Sequence, residues 1–191
     1  MSTDRSPTTS PATAALSRQA LQLAMRVLEL AAVYAKPHDM SQANAQVGRC
    51  LKASDDLPSA ETYLDKALSW ARLVPGVDTR VDVLCELAEL TTLQAEGFDD
   101  SESHTRQACL ERARGHAFEA AELAGHTADS HWEVKVLLRV SDVFNRCGDH
   151  DDATQVQNRA MALLGLQPAE ELAGSEPPAD PLRAVAPTQL M

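Results

Sequence analysis

Apolar residues recur three and four positions apart along most of the chain, with polar residues between them. That spacing lines one face of a helix and leaves the other to solvent. It predicts seven helices, at about 14–36, 41–54, 59–74, 78–96, 104–125, 129–147 and 150–165. The breaks carry ordinary start and stop residues. Pro37 ends the first helix and Ser41 caps the second. Pro58 and Ser59 open the third, Pro75-Gly76 separates it from the fourth, and Gly97 closes the fourth. Asp129 or Ser130 caps the sixth. At FNRCGDHDDA, residues 144–153, one helix stops and another starts within two residues. Gly148 supplies the left-handed conformation that ends a helix, and Asp149 offers an oxygen to begin the next.

Outside this pattern lie two polar, proline-bearing segments. Residues 1–13 are rich in Ser, Thr and Pro, and residues 166–191 hold five prolines. Both are expected to be disordered tails on a helical domain spanning 14–165. Only 4% of residues are aromatic and the chain has no Ile, while Ala and Leu abound. This is the composition of an all-α protein with little capacity for strands.

The seven helices fall into a repeat. In the last pair the positions that recur are Leu137, Val140, Ser141, Phe144, Gly148, Asp149, Ala153, Ala160 and Met161. The same offsets pick out Val47, Gly48, Leu51, Asp55, Asp56, Ala60, Leu64, Ala67 and Leu68. They recur in Leu84, Leu87 and Ala88 followed by Ala113, Ala117 and Ala120, and in a lone second helix with Ala20, Ala24, Val27 and Leu28. The second-helix alanines at 20, 60, 113 and 153 lie 40, 53 and 40 apart. From each to the next first-helix anchor (Val47, Leu87, Val140) is 27 residues every time, and from anchor to alanine is 13, 26 and 13. One rule fits: a 40-residue repeat with 13 extra residues in the middle copy.

These residues resemble the tetratricopeptide repeat, whose basic period is about 34 residues, in its longer variety of the kinesin light chain type. Phe144 falls on the family's aromatic position, Gly148-Asp149 on its turn and Ala153 on its close-packed small position. Gly48, Ala88, Ala20, Ala60 and Ala113 take the other small positions. The chain departs from the family at His150 and Gln157, where aromatics are usual, and in lacking the closing proline. The resemblance implies an antiparallel helix-pair solenoid, a right-handed superhelix in which stacked pairs share one core. An irregular helical bundle has the same periodicity and is the alternative architecture.

The resemblance also implies a concave groove lined by the first helix of each pair. Its positions fall on Gln42, Ala45, Arg49, Lys52 and Ala53, on Asp82, Cys85, Glu89, Thr92 and Leu93, and on Lys135, Leu138, Asp142, Asn145 and Arg146. The end repeats are basic, with Asp142 beside them, and the middle repeat is acidic through Asp82 and Glu89. Such a groove accepts an extended peptide or a partner helix, unless Arg49, Lys52 and Arg146 are ordinary solvated charges. The polar stretch 97–107 is an extended loop that touches a partner or covers the groove, or a tolerated surface insertion.

Charge narrows the functional classes. A net charge of −11 disfavours nucleic acid and anionic membranes, and no apolar run reaches the roughly 18 residues of a membrane helix. Cys50, Cys85, Cys109 and Cys147 form no CxxC pair and suit reduced thiols in the cytoplasm. The nearest histidine clusters, His150 with Cys147 and His126 with His131, lack zinc-ligand spacing, and His150 is assigned to the turn's aromatic position instead. There is no GxSxG, phosphate loop or HExxH. The expected protein is therefore not an enzyme and needs no cofactor. It is an adaptor that binds a peptide or helix of another protein, with an end helix free for pairing as a homodimer. A chaperone-like or regulatory subunit for one client, and a helical enzyme without a recognisable motif, are the alternatives.

Overall fold

The computed structural model describes residues 11–166, and the two tails expected from sequence lie almost entirely outside them. Seven α-helices make up the described residues, with no strand among them. They are α1 (Pro11–Tyr34), α2 (Pro37–Ala53), α3 (Leu57–Ala71), α4 (Asp78–Glu96), α5 (Ser103–Ala124), α6 (Ser130–Cys147) and α7 (His150–Leu163).

Proline sets two boundaries differently from the sequence expectation. α1 already begins at Pro11, and Pro37 opens α2 rather than ending α1. A proline in the first turn loses no hydrogen bond, because the N–H it lacks has no partner there. Ala35, left-handed at φ 48°, ends α1 instead. Ser41 then lies inside α2, buried, and its hydroxyl donates to the Ala67 carbonyl at 2.9 Å. It ties α2 to α3 and caps nothing.

The turns at the ends of α2 and α6 are the same structure at two places in the chain. Asp55 and Gly148 are left-handed, at φ 64° and 83°. The next amide, of Asp56 or Asp149, donates back to Leu51 or Phe144 at 3.0 and 2.9 Å. This is the six-to-one closure of a Schellman turn. The helices that follow start unlike one another. The Asp56 carboxylate accepts from the Ser59 amide and caps α3. The Asp149 carboxylate makes no cap; the Arg114 guanidinium of α5 takes it, and also donates to the Cys147 carbonyl at 3.2 Å. An ion pair across helices has displaced the local hydrogen bond. His150, assigned to an aromatic position, is exposed.

Each helix packs on the next in sequence, and α4 also touches α2 and α6. Connections this short between packed neighbours make successive helices antiparallel. Ala60, Ala113 and Ala153 are buried at the crossings, as are Ala88 and Phe144. Gly48 is required where α2 crosses α3: a Cβ there would lie 2.8 Å from Leu64 Cγ and 3.3 Å from the Ala60 carbonyl. Ala20 breaks the series, since it is exposed and Ala24 is the buried residue of α1. Among the described residues no helix precedes α1 to pack against Ala20.

Stretch 97–107 is not an extended loop. It holds a single 3-10 turn, Asp100–Glu102, and the start of α5. The helices on either side of that turn, α4 and α5, run to 19 and 22 residues. The two ends of the stack differ. The first two turns of α7 expose His150, Asp151, Thr154 and Gln155, with Leu163 and Leu164 exposed at its far end, whereas α1 exposes Leu16, Leu23, Val27, Leu30, Val33 and Tyr34 along its length. The close crossing at Ala153 has a direct test. Ala153→Leu is expected to destabilise the fold by about 1–3 kcal/mol through overpacking. A urea midpoint equal to wild type would contradict that crossing.

Candidate functional site

α2, α4 and α6 lie side by side, so one face of each contributes to a common surface. On α4 the residues at four-three spacing are Asp82, Glu86 and Glu89, which places three carboxylates in one row. α2 brings Arg49 and Lys52 to one side of that row, and α6 brings Arg139 to the other. Lys52 Nζ lies 2.7 Å from Glu86 and 3.1 Å from Glu89. Arg139 reaches Glu89 at 2.7 Å and Glu86 at 3.4 Å, and Arg49 lies 3.8 Å from Glu86. The acidic row thus clamps its basic neighbours on both flanks. Farther along, Arg146 pairs with Glu96 of α4 at 2.8 Å and lies 3.9 Å from Asp142 on its own helix.

These pairs are partly withdrawn from water, with the Glu86 side chain 12% and Lys52 19% exposed. Their attraction is therefore screened less than at an open surface. Burial pushes the Asp82 carboxyl above its usual range, opposed by Arg139 and Arg49. Burial likewise pushes the Cys85 thiol up to about 12, again against Arg139. A thiol held protonated and buried is a poor nucleophile and metal ligand.

Twelve of the fifteen groove residues inferred from the resemblance fall into three groups; of the others Gln42 and Ala53 are exposed and Leu93 is half-buried. Arg49, Lys52, Asp82, Glu89 and Arg146 belong to the charge network. Lys135, Leu138, Asp142 and Asn145 of α6 are exposed on the groove side, with the Asn145 amide oxygen 3.3 Å from His150 Nδ1. Ala45, Cys85 and Thr92 are buried and line nothing. α4 is covered from both sides by α2 and α6 as well as by α3 and α5, which takes away two of its five groove positions. Three members of the network escaped the sequence reading: Glu86, Arg139 and Glu96. Glu86 and Arg139 each sit one residue beyond a family groove position. The four-three row of carboxylates on α4 was the signal that marks Glu86.

A small cleft of about 200 Å³ opens between α2 and α4, lined by Gln42, Arg49, Thr79 and Asp82 among others. Ligand sites for whole metabolites run from about 300 Å³ upward, so this one suits a single polar side chain. Among the described residues no three His, Cys, Asp or Glu side chains converge as metal ligands. Nor is any helix among them long and apolar enough to cross a membrane.

No family model matches this chain, and no curated protein is similar to it. Among solved structures 21 chains match. One is the crystal structure of BtubC (BKLC) from P. vanneervenii, at a TM-score of 0.61 and 15% identity over 93% of this chain. The present chain spans 65% of that protein's length. At such identity the likeness is one of fold alone.

Proposed function

We propose that this chain is a protein-interaction module of the tetratricopeptide kind, which holds an extended peptide of another protein on the α2–α4–α6 face. One observation carries the reading: three first helices are locked side by side by their own ion pairs, and the face they form still offers free groups. Leu138 is 55% exposed there. Lys135 is its exposed neighbour one turn away, and the side-chain-sized cleft by Asp82 lies across the face. A platform already ordered in the free protein saves the partner part of the entropy cost of docking. The fitting peptide carries an apolar residue for Leu138, an acidic one for Lys135, and an amide or basic side chain for the cleft. The recurring turns at Asp55 and Gly148 and the buried Ala60, Ala113 and Ala153 support the repeat reading. Four free, buried cysteines support a reducing, cytoplasmic setting.

Lys135 and Leu138 take no part in the charge network, so Lys135→Glu/Leu138→Asp should leave the fold intact. Quantitative affinity capture from native extract is expected to lose a stoichiometric partner about tenfold with this double variant, a deficit of about 1.4 kcal/mol. Equal capture by wild type and variant would remove the groove from consideration.

A further inference from the structure

The outer face of α1 has no occupant among the described residues, although the chain's own repeat says what kind of element belongs there. Moving 40 positions on from Ala20 and Val27 leads to Ala60 and Ala67 of α3, both fully buried, with α2 lying against α3. In α1 the same two positions are exposed. α1 matches the second helix of a pair, with no first helix before it among the described residues, so the element that fits its face is itself a helix, running antiparallel as α2 does to α3.

Leu16, Ala20, Leu23, Val27, Leu30 and Tyr34 follow one another at intervals of four, three, four, three and four. All six are exposed, with Leu16 and Leu23 at 66%, Leu30 at 69% and Tyr34 at 78%. This is the apolar seam of a coiled coil, and it is uninterrupted by any charge. The interval series reads the same from either end. Rotation by a half-turn therefore lays the seam on itself: Leu16 meets Tyr34 of a second copy, Ala20 meets Leu30, and Leu23 meets Val27. Large residues face small or mid-sized ones at each layer.

Charge and area favour the same occupant. The chain carries a net charge of −11, but α1 holds only Arg18, Arg26 and Glu29. Two copies that approach through this helix escape most of that repulsion. The seam runs about 27 Å at 1.5 Å per residue. Beside it a cleft of about 550 Å³ between α1 and α2, bordered by Leu30, Tyr34, Ala43 and Gln46, widens the strip to two helices. A strip about 27 Å by 20 Å amounts to about 540 Å² per partner, just under the roughly 600–1,000 Å² of standard interfaces, so the pairing is a modest one. The segment 167–191 is a poor fit, since its five prolines leave no proline-free run longer than eight residues and a helix is interrupted at such prolines.

We propose that two copies of this chain associate through α1, with the two seams packed antiparallel about a two-fold axis. The pairing covers the α1–α2 cleft, whose wall includes Gln42 and Arg49 at the edge of the groove, and leaves Lys135 and Leu138 of α6 uncovered. Sedimentation equilibrium of the full chain is expected to give twice the mass of one chain. Leu23→Glu/Leu30→Glu should return it to a single copy with unchanged helical circular dichroism, whereas the groove variant Lys135→Glu/Leu138→Asp should stay paired. A single-copy wild type overturns the proposal, and so does a pair that survives Leu23→Glu/Leu30→Glu. Cross-linking gives a second measure. Leu23→Cys and Val27→Cys copies, mixed and oxidised, should join at least tenfold faster than either alone. Leu23→Cys combined with Thr188→Cys in one chain and oxidised would instead close within that chain if the tail were the occupant, and that disulfide would sink the pairing.

Discussion

Phe144→Ala is expected to lower the melting temperature by about 10 °C. Phe144 is fully buried near the end of α6, with its ring centroid 4.7 Å from that of Phe118 on α5 at an angle of 54°. Truncating a buried Phe costs about 3–5 kcal/mol through lost transfer energy and the cavity left behind. For a chain of this size each kcal/mol is worth about 2–4 °C. Phe118 is half exposed, so Phe118→Ala removes the ring pair with little cavity and should cost about 1–2 kcal/mol. Thermal unfolding of both variants checks the account. If Phe118→Ala proved the more damaging, the assignment of Phe144 as the anchor of the α5–α6 core would be wrong.

Glu86→Ala is expected to cost about 2–3 kcal/mol. The change leaves Lys52 and Arg139 to share Glu89 and leaves Arg49 without its partner on α4. The figure sits below the range for a fully buried pair because water still reaches the cations. Removing the charges together should behave differently. Lys52→Met/Glu86→Met/Arg139→Met deletes both the attraction and the desolvation it had to overcome, and is expected near wild-type stability. Urea unfolding of the single and triple variants distinguishes the two effects. A triple variant as unstable as Glu86→Ala would mean that the ion pairs, not the packing beneath them, hold α2 and α6 to α4.

The sequence pattern located the elements well where start and stop signals were local. α4 runs from Asp78 to Glu96 as its periodicity predicts, and Asp129 caps α6 by accepting from the Trp132 amide at 3.0 Å. The left-handed residue at Gly148 needed no tertiary knowledge either. The errors arose where one residue type serves two purposes. Pro37 can follow a helix or open one, and nothing nearby tells which. Asp149 has the chemistry of a cap, but Arg114, 35 residues earlier, takes its carboxylate. Ala20 fits the repeat in sequence and lacks the neighbour that would bury it. In the candidate site, the alternation of basic and acidic helices was legible, because each row follows helical spacing. The pairing was not, since it depends on how closely α4 sits between α2 and α6. That closeness turned Arg49, Lys52 and Glu89 from open groove charges into a locked lattice, and brought in Glu86 and Arg139 from the adjacent positions.

The unlike ends of the stack bear on how far an assembly of such helices can grow. A rod of stacked pairs that is greasy at both ends adds copies head to tail without limit and becomes a fibre. Here the first turns of α7 show His150, Asp151, Thr154 and Gln155 to water, a surface unsuited to a further apolar helix. Growth over those turns is opposed by solvation. The proposed pairing through α1, closed about a two-fold axis, uses up that face in both copies and so gives discrete pairs and not filaments.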